Sequence, residues 1–198
     1  MDDGLIMKQI KEIEQYAQDY KVPIMQPDGM QFLCDYIKNN EIKTILEIGT
    51  AIGYSAIRMA LINENIHIVS IERDHERYIQ AIQNIHDFKL ENQIKVIEGD
   101  AFDVEVEGEF DLIFIDAAKA QYIKFFERFT PFLNKGGVVI SDNLAFHGLV
   151  KSKEVIKSRG LRGLIRKIRI YIDYLVENQE FDTEFFEIGD GIAISKKK

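Results

Sequence analysis

The chain has 198 residues, 46% of them hydrophobic and 29% charged, with a formal net charge of -8. That length and balance suit one globular domain with a sizeable core and argue against a disordered chain. No apolar run approaches the roughly 18 residues of a membrane span, and the opening MDDGLIMKQIKEIEQ lacks a hydrophobic leader, so a cytoplasmic protein with no membrane partner is expected.

The single cysteine, Cys34, sits among apolar residues in QFLCDYI, which excludes an internal disulfide and reads as a small packed hydrophobe. Charge is unevenly spread. Residues 151–169, KSKEVIKSRGLRGLIRKIR, hold eight Lys/Arg against the lone acid Glu154, so an acidic chain carries one strongly basic segment.

Taken in chain order, residues 5–20 and 28–39 show apolar positions at helical spacing (Leu5, Ile6, Ile10, Ile13, Tyr16; Met30, Leu33, Cys34, Ile37), separated by the breaker VPIMQPDG. From residue 43, short β-rich runs alternate with helical ones. The runs are TILEI (44–48), IHIVSI (66–71), IKVIE (94–98), FDLIFI (110–115) and GVVIS (137–141), with GYSAIRMALI, DHERYIQAIQNIHDF and KAQYIKFFERFTPFL between them. This alternation predicts an α/β fold with a mainly parallel sheet and helices on both faces. A helix over 161–178 follows, and then TEFFEIG and GIAISKK, joined through Gly189-Asp190-Gly191 as a closing antiparallel hairpin. The expected organisation is one domain over 1–198, with helices in 1–40 and an α/β core in 43–198.

In such a sheet, ligands bind beyond the carboxyl ends of the strands. The first strand runs into LEIGTAIGYSA, where Gly49 and Gly53 have the spacing GxxxG rather than the GxGxxG that seats a pyrophosphate. Glu47, just before the turn, would repel a diphosphate but could pair with an ammonium group. Strand two ends at Glu72, placed to accept from ribose hydroxyls, and strand three ends in GDA, where Asp100 can accept from an adenine amino group. An amine, a ribose and an adenine without phosphate describe S-adenosylmethionine.

Strand four ends FIDAAK, with Asp116 directly after it and Lys119 three residues on. Strand five ends VISDN, with Asp142 and Asn143. Alone, Asp116 is a helix cap and Asp142-Asn143 a turn. On neighbouring strands they become three hard oxygen ligands at one point, a set suited to magnesium, manganese or calcium that leaves positions open to substrate.

With LEIGTAIGYSA, IERD, GDA, FIDAAKAQY and VISDN in this order, the chain resembles the metal-dependent O-methyltransferases related to catechol and caffeoyl-CoA methyltransferases. The resemblance implies a Rossmann-like, seven-stranded methyltransferase sheet. It also implies a metal held by Asp116, Asp142 and Asn143, and a Lys119 that assists deprotonation of the substrate hydroxyl. Glu47, Gly49, Ser55, Glu72, Asp100, Ala101 and Asp116 are implied to contact the methyl donor, and a homodimer is implied as well.

Within that family, KVPIM, FIDAAKAQYIKFF and GDGIAISKKK look most similar to bacterial tRNA 5-hydroxyuridine methyltransferases, which make 5-methoxyuridine at the wobble position. The basic segment agrees with an anticodon-loop partner, with Lys157, Arg159, Arg162, Arg166, Lys167 and Arg169 as candidate phosphate contacts. It agrees equally with the solvated face of an amphipathic helix, and the two readings are compatible. A small-molecule catechol or caffeoyl-CoA type methyltransferase and a nucleotide-binding module without catalysis are the other two readings of the chain.

Overall fold

The computed structural model describes residues 3–145, 148–150 and 158–198. Two helices lead, α1 (Asp3–Asp19) and α2 (Pro27–Asn39). Pro27 opens α2, where its missing N–H costs nothing, and Asp28 places a carboxylate in the positive first turn. Their apolar stripes, Ile10, Ile13 and Ala17 on one and Met30, Leu33 and Ile37 on the other, are buried against one face of the sheet.

The strands are β1 (Thr44–Ile48), β2 (His67–Glu72), β3 (Ile94–Glu98), β4 (Phe110–Ile115), β5 (Leu133–Ser141), β6 (Phe181–Phe186) and β7 (Ile192–Lys197). Their order is β3-β2-β1-β4-β5-β7-β6. The first five are mutually parallel, and β7 lies antiparallel between β5 and β6. The crossover helices are α3 (Tyr54–Ala60), α4 (His75–Asp87), α5 (Tyr122–Phe129) and α6 (Arg159–Glu177).

The period-two alternation of the central strands divides the core. Ile45, Leu112, Phe114, Val138 and Ile140 join one apolar cluster with α1 to α4, while Leu46, Ile48, Ile113, Ile115 and Val139 join a second with α5 and α6. Because both faces are covered, these strands read as nearly continuous apolar runs. Asp74 caps α4 by accepting from the Arg77 amide at 3.0 Å, and Ser158 caps α6.

The seven-stranded sheet is the one expected, and three local readings are corrected. β5 starts at Leu133, four residues before the expected Gly137, because Leu133 pairs with Phe110 across a register shift. The helix expected over 119–133 is a helix of eight residues flanked by 3-10 turns at Lys119–Gln121 and Thr130–Phe132, where Pro131 ends the regular ladder. The closing hairpin turns through five residues, 187–191, rather than the three of Gly189-Asp190-Gly191.

Gly49 follows β1 directly at φ +103°, and a Cβ there would collide with the Asp116 carbonyl. Gly49→Ala should therefore combine left-handed strain with a backbone clash, lowering stability by about 2 kcal/mol or more. A urea-unfolding midpoint equal to wild type would show that the two strand ends can separate freely.

Candidate active site

The strand order winds outward from β1 in one direction and from β4 in the other, and the carboxyl ends of these two strands form the crevice where such sheets take ligands. A cavity of about 300 Å³ opens there. Gly49 and Ser55 line it from the β1–α3 turn, Glu72 from the end of β2, and Asp100 and Ala101 from the end of β3. Asp116, Lys119 and Asn143 line its other end, and Pro23, Ile24 and Met25 from the α1–α2 connection also border it.

Glu47 and Asp142 do not line the cavity. Glu47 has no exposed surface, and its carboxylate accepts from the Ser55 and Ser70 hydroxyls. Ser70 in turn shares a 2.5 Å bond with the Thr50 hydroxyl. Burial pushes the Glu47 pKa up to about 7, against the pull of the two serines. Glu47, expected to pair with a ligand ammonium, stands directly behind Ser55, whose hydroxyl donates to it and which lines the cavity.

Glu72 is held rigidly. One oxygen accepts from the Ala51 amide at 2.7 Å and the other from the Asp74 amide at 2.9 Å, leaving each oxygen a further lone pair. Asp100 accepts from the Phe102 amide at 2.9 Å, and the Arg73 guanidinium lies 3.8 Å from its other oxygen. Phe102 stacks on Phe125, centroids 4.9 Å apart and planes 12° from parallel, and both rings line the cavity.

The far end is an acid–amide corner. The Asn143 side-chain nitrogen donates to Asp116 Oδ1 and to Asp142 Oδ2, each at 3.0 Å, from a left-handed backbone at φ 65°. Two carboxylates are thus gathered round one donor. Burial and then the Asp116 carboxylate push the Asp142 pKa up to about 8, and burial raises that of Asp116 against the Lys119 ammonium. Asp142 Oδ1 is buried with no hydrogen-bond partner. Among the described residues there is no group of three His, Cys, Asp or Glu arranged for a metal. The hard set here is two carboxylates and an amide, and a half-turn of the Asn143 amide would put oxygen where nitrogen now sits. An orphaned carboxylate oxygen and two acids of like charge that repel each other fit a divalent cation.

The O-methyltransferase family model matches residues 1–198. The chain belongs to this family. It is 40% identical to a Staphylococcus aureus protein provisionally assigned as a caffeoyl-CoA O-methyltransferase, whose crystal structure superposes with a TM-score of 0.91 over 96% of this chain and 92% of that one. Caffeoyl-CoA O-methyltransferase 2 of Populus trichocarpa is 27% identical over 96% of this chain and 81% of its own. The fold is shared with an O-methyltransferase of Bacillus cereus solved with S-adenosylhomocysteine, 24% identical with a TM-score of 0.82 over 96% of this chain and 91% of that one.

In this O-methyltransferase the strand tip bearing Asp142 is anchored from behind. Tyr122 of α5 donates to the Asp142 carbonyl at 2.9 Å, and Tyr171 of α6 shares a 2.7 Å bond with the Ser141 hydroxyl. Ile165, Ile168 and Tyr171 form the buried face of α6, while Arg159, Arg162, Arg166 and Lys167 are exposed on it. Arg169 is exposed as well, and its guanidinium donates twice to the Val150 carbonyl, at 3.0 and 2.7 Å, keeping further N–H donors. Lys157 lies outside the described residues. Sequence reading passed over Phe125, Tyr122 and Tyr171, whose helical spacing looks like ordinary core, over Phe102 in the turn after β3, and over Asp190, buried in the hairpin turn.

A raised acid pKa in the folded state means stability that is present below the unfolded value and lost as pH climbs through the folded one. Glu47 should therefore cost the O-methyltransferase stability as pH rises from about 4.5 to about 7. Glu47→Gln should flatten that part of the curve, measured as thermal midpoint against pH. Parallel wild-type and variant curves would mean that Glu47 titrates normally.

Proposed function

We propose that the protein transfers a methyl group from S-adenosylmethionine to a hydroxyl oxygen, with 5-hydroxyuridine at the wobble position of a tRNA anticodon loop as acceptor. The observation that carries this reading is one continuous cavity running from Glu72 and Asp100 to the corner of Asp116 and Asn143. The donor end suits a nucleoside without phosphate: Glu72 offers lone pairs to two ribose hydroxyls, and Asp100 offers one to an adenine amine. Ser55 meets the amino-acid portion, and the buried carboxylates of the site favour a cationic donor.

The donor supplies a methyl group on a cationic sulfur. The chain's task is to align an acceptor oxygen behind that methyl carbon, so that the new C–O bond forms as the C–S bond breaks and a neutral thioether leaves. Asp116, Asp142 and Asn143 would hold a magnesium, manganese or calcium ion, which supplies Lewis acidity that makes a neighbouring hydroxyl more acidic. Lys119, at the mouth of the corner, takes the departing proton or stabilises the oxyanion. A ring with two adjacent oxygens presents itself to this corner edge-on, and 5-hydroxyuracil has them in its 5-hydroxyl and C4 carbonyl.

Arg162, Arg166 and Lys167 support the RNA reading, since their side of α6 is exposed while its other side is tied through Tyr171 to the strand ending at Asp142. An unstacked loop base can be drawn into a pocket at modest cost while such a face holds phosphates. A small-molecule catechol-type acceptor is the competing reading. It is supported by the plant relatives and by an apolar groove of about 780 Å³ beside the corner, lined by Leu144, Val150, Ile172 and Phe186.

Labelled S-adenosylmethionine, magnesium and tRNA containing 5-hydroxyuridine should yield labelled 5-methoxyuridine on nucleoside analysis. Methylation of free catechol without any methoxyuridine would sink the tRNA assignment, and full activity with a chelator present would sink the metal. Lys119→Met should lower kcat roughly 10²- to 10⁴-fold. Replacing Arg166 and Lys167 by Ala should weaken tRNA binding and reduce its salt slope by about 0.7–0.9 for each phosphate no longer neutralised, whereas turnover of a free catechol should be indifferent to both changes and to salt.

A further inference from the structure

Helix α5 makes a polar contact behind each end of the cavity. Tyr122, Phe125 and Arg128 recur every three residues, a row that winds about 120° round the helix over roughly 9 Å, from the buried Tyr122 and Phe125 to the exposed Arg128. At one end Tyr122 holds the Asp142 carbonyl. In the middle Phe125 stacks on Phe102. At the other end the Arg128 guanidinium donates from Nε to the Ala101 carbonyl at 2.8 Å and from Nη2 to the Val104 carbonyl at 2.9 Å.

Those two carbonyls belong to a single tight turn, in which the Asp103 and Val104 amides both donate to the Asp100 carbonyl, at 2.9 and 3.1 Å. A one-turn coil ends in carbonyls with no partner of their own, and the planar guanidinium fork is the side chain able to satisfy two at once. The turn is also the cavity wall, since Asp100, Ala101 and Phe102 line it.

We propose that Arg128 is a positioning residue for the methyl donor: by clamping the Ala101 and Val104 carbonyls from outside the cavity, it fixes the wall that receives the adenine. With Tyr122 on the same helix, α5 sets the separation between that wall and the Asp116–Asp142–Asn143 corner. The inference rests on the donor reading given above. A guanidinium that served only to stabilise the turn would leave donor affinity untouched once the variant is folded, and this separates the two roles.

The test is calorimetric binding of S-adenosylhomocysteine to the full chain, as wild type, R128Q and R128K, well below the melting temperature of each, together with the KM for donor and for acceptor. If loosening the turn leaves its binding-competent form about a tenth populated, R128Q should raise the dissociation constant about tenfold. R128K should fall between, because a lysine ammonium keeps the charge and donors but lacks the planar fork that meets both carbonyls. Donor KM should rise in parallel and acceptor KM stay at the wild-type value. Should R128Q fail to fold, R128K alone carries the comparison. Wild-type affinity in a folded variant overturns the positioning role, as does an equal rise in both KM values. A wild-type protein that binds no S-adenosylhomocysteine overturns the donor reading first and the role of Arg128 with it.

Discussion

Where β1 and β4 end, the backbone of Gly49 lies so close to the Asp116 carbonyl that no side chain fits between them. The approach is sealed by hydrogen bonds that run across the strand ends, from the Asp116 amide to the Ile48 carbonyl at 3.1 Å and from the Gly49 amide to the Ile71 carbonyl at 3.0 Å. Everything chemical in the molecule is measured from this junction. It sets how near the Glu72 and Asp100 side of the cavity stands to the Asp116 side, and a methyl transfer tolerates little error in that separation.

Around the junction the protein gathers negative charge where water is scarce. Glu47, Asp116 and Asp142 all have raised pKa values, and burial is the first cause in each case. Buried acids of one sign destabilise a fold unless something positive or hydrogen-bonding answers them. Serine hydroxyls answer Glu47, while the Asn143 amide answers Asp116 and one oxygen of Asp142. What is left over, a buried carboxylate oxygen beside a second acid, is the kind of local deficit that a bound cation removes.

The layout of this site was largely legible in the sequence because strand ends in a parallel sheet are punctuated by a change from apolar to acidic residues. FID and ISDN announce Asp116 and Asp142 in that way, and the glycine pair marks the first turn. Side-chain direction was less legible. Glu47 stands in TILEI next to the glycine turn, yet the hydroxyls that hold its carboxylate come from α3 and β2, and nothing local to TILEI announces them. Arg169 belongs to a basic run that reads as one surface, but its guanidinium is drawn to a carbonyl of the preceding loop. Phe102, Phe125 and Arg128 carry no local signature because their roles come from a stack and a clamp between segments more than twenty residues apart.

The placement of β7 bears on when the protein becomes competent during synthesis. β5 is flanked on one side by β4, made earlier, and on the other by β7, whose residues 192–197 follow Asp142 by fifty positions. Until that late segment emerges from the ribosome, the strand carrying Asp142 and Asn143 is an open edge, with Val138 to Ser141 lacking the partners that Ala193 to Lys196 will provide. The nascent chain can assemble the wall around Glu72 and Asp100 well before it can frame the acid–amide corner, so any product truncated ahead of the final strand leaves the edge that bears that corner unpaired.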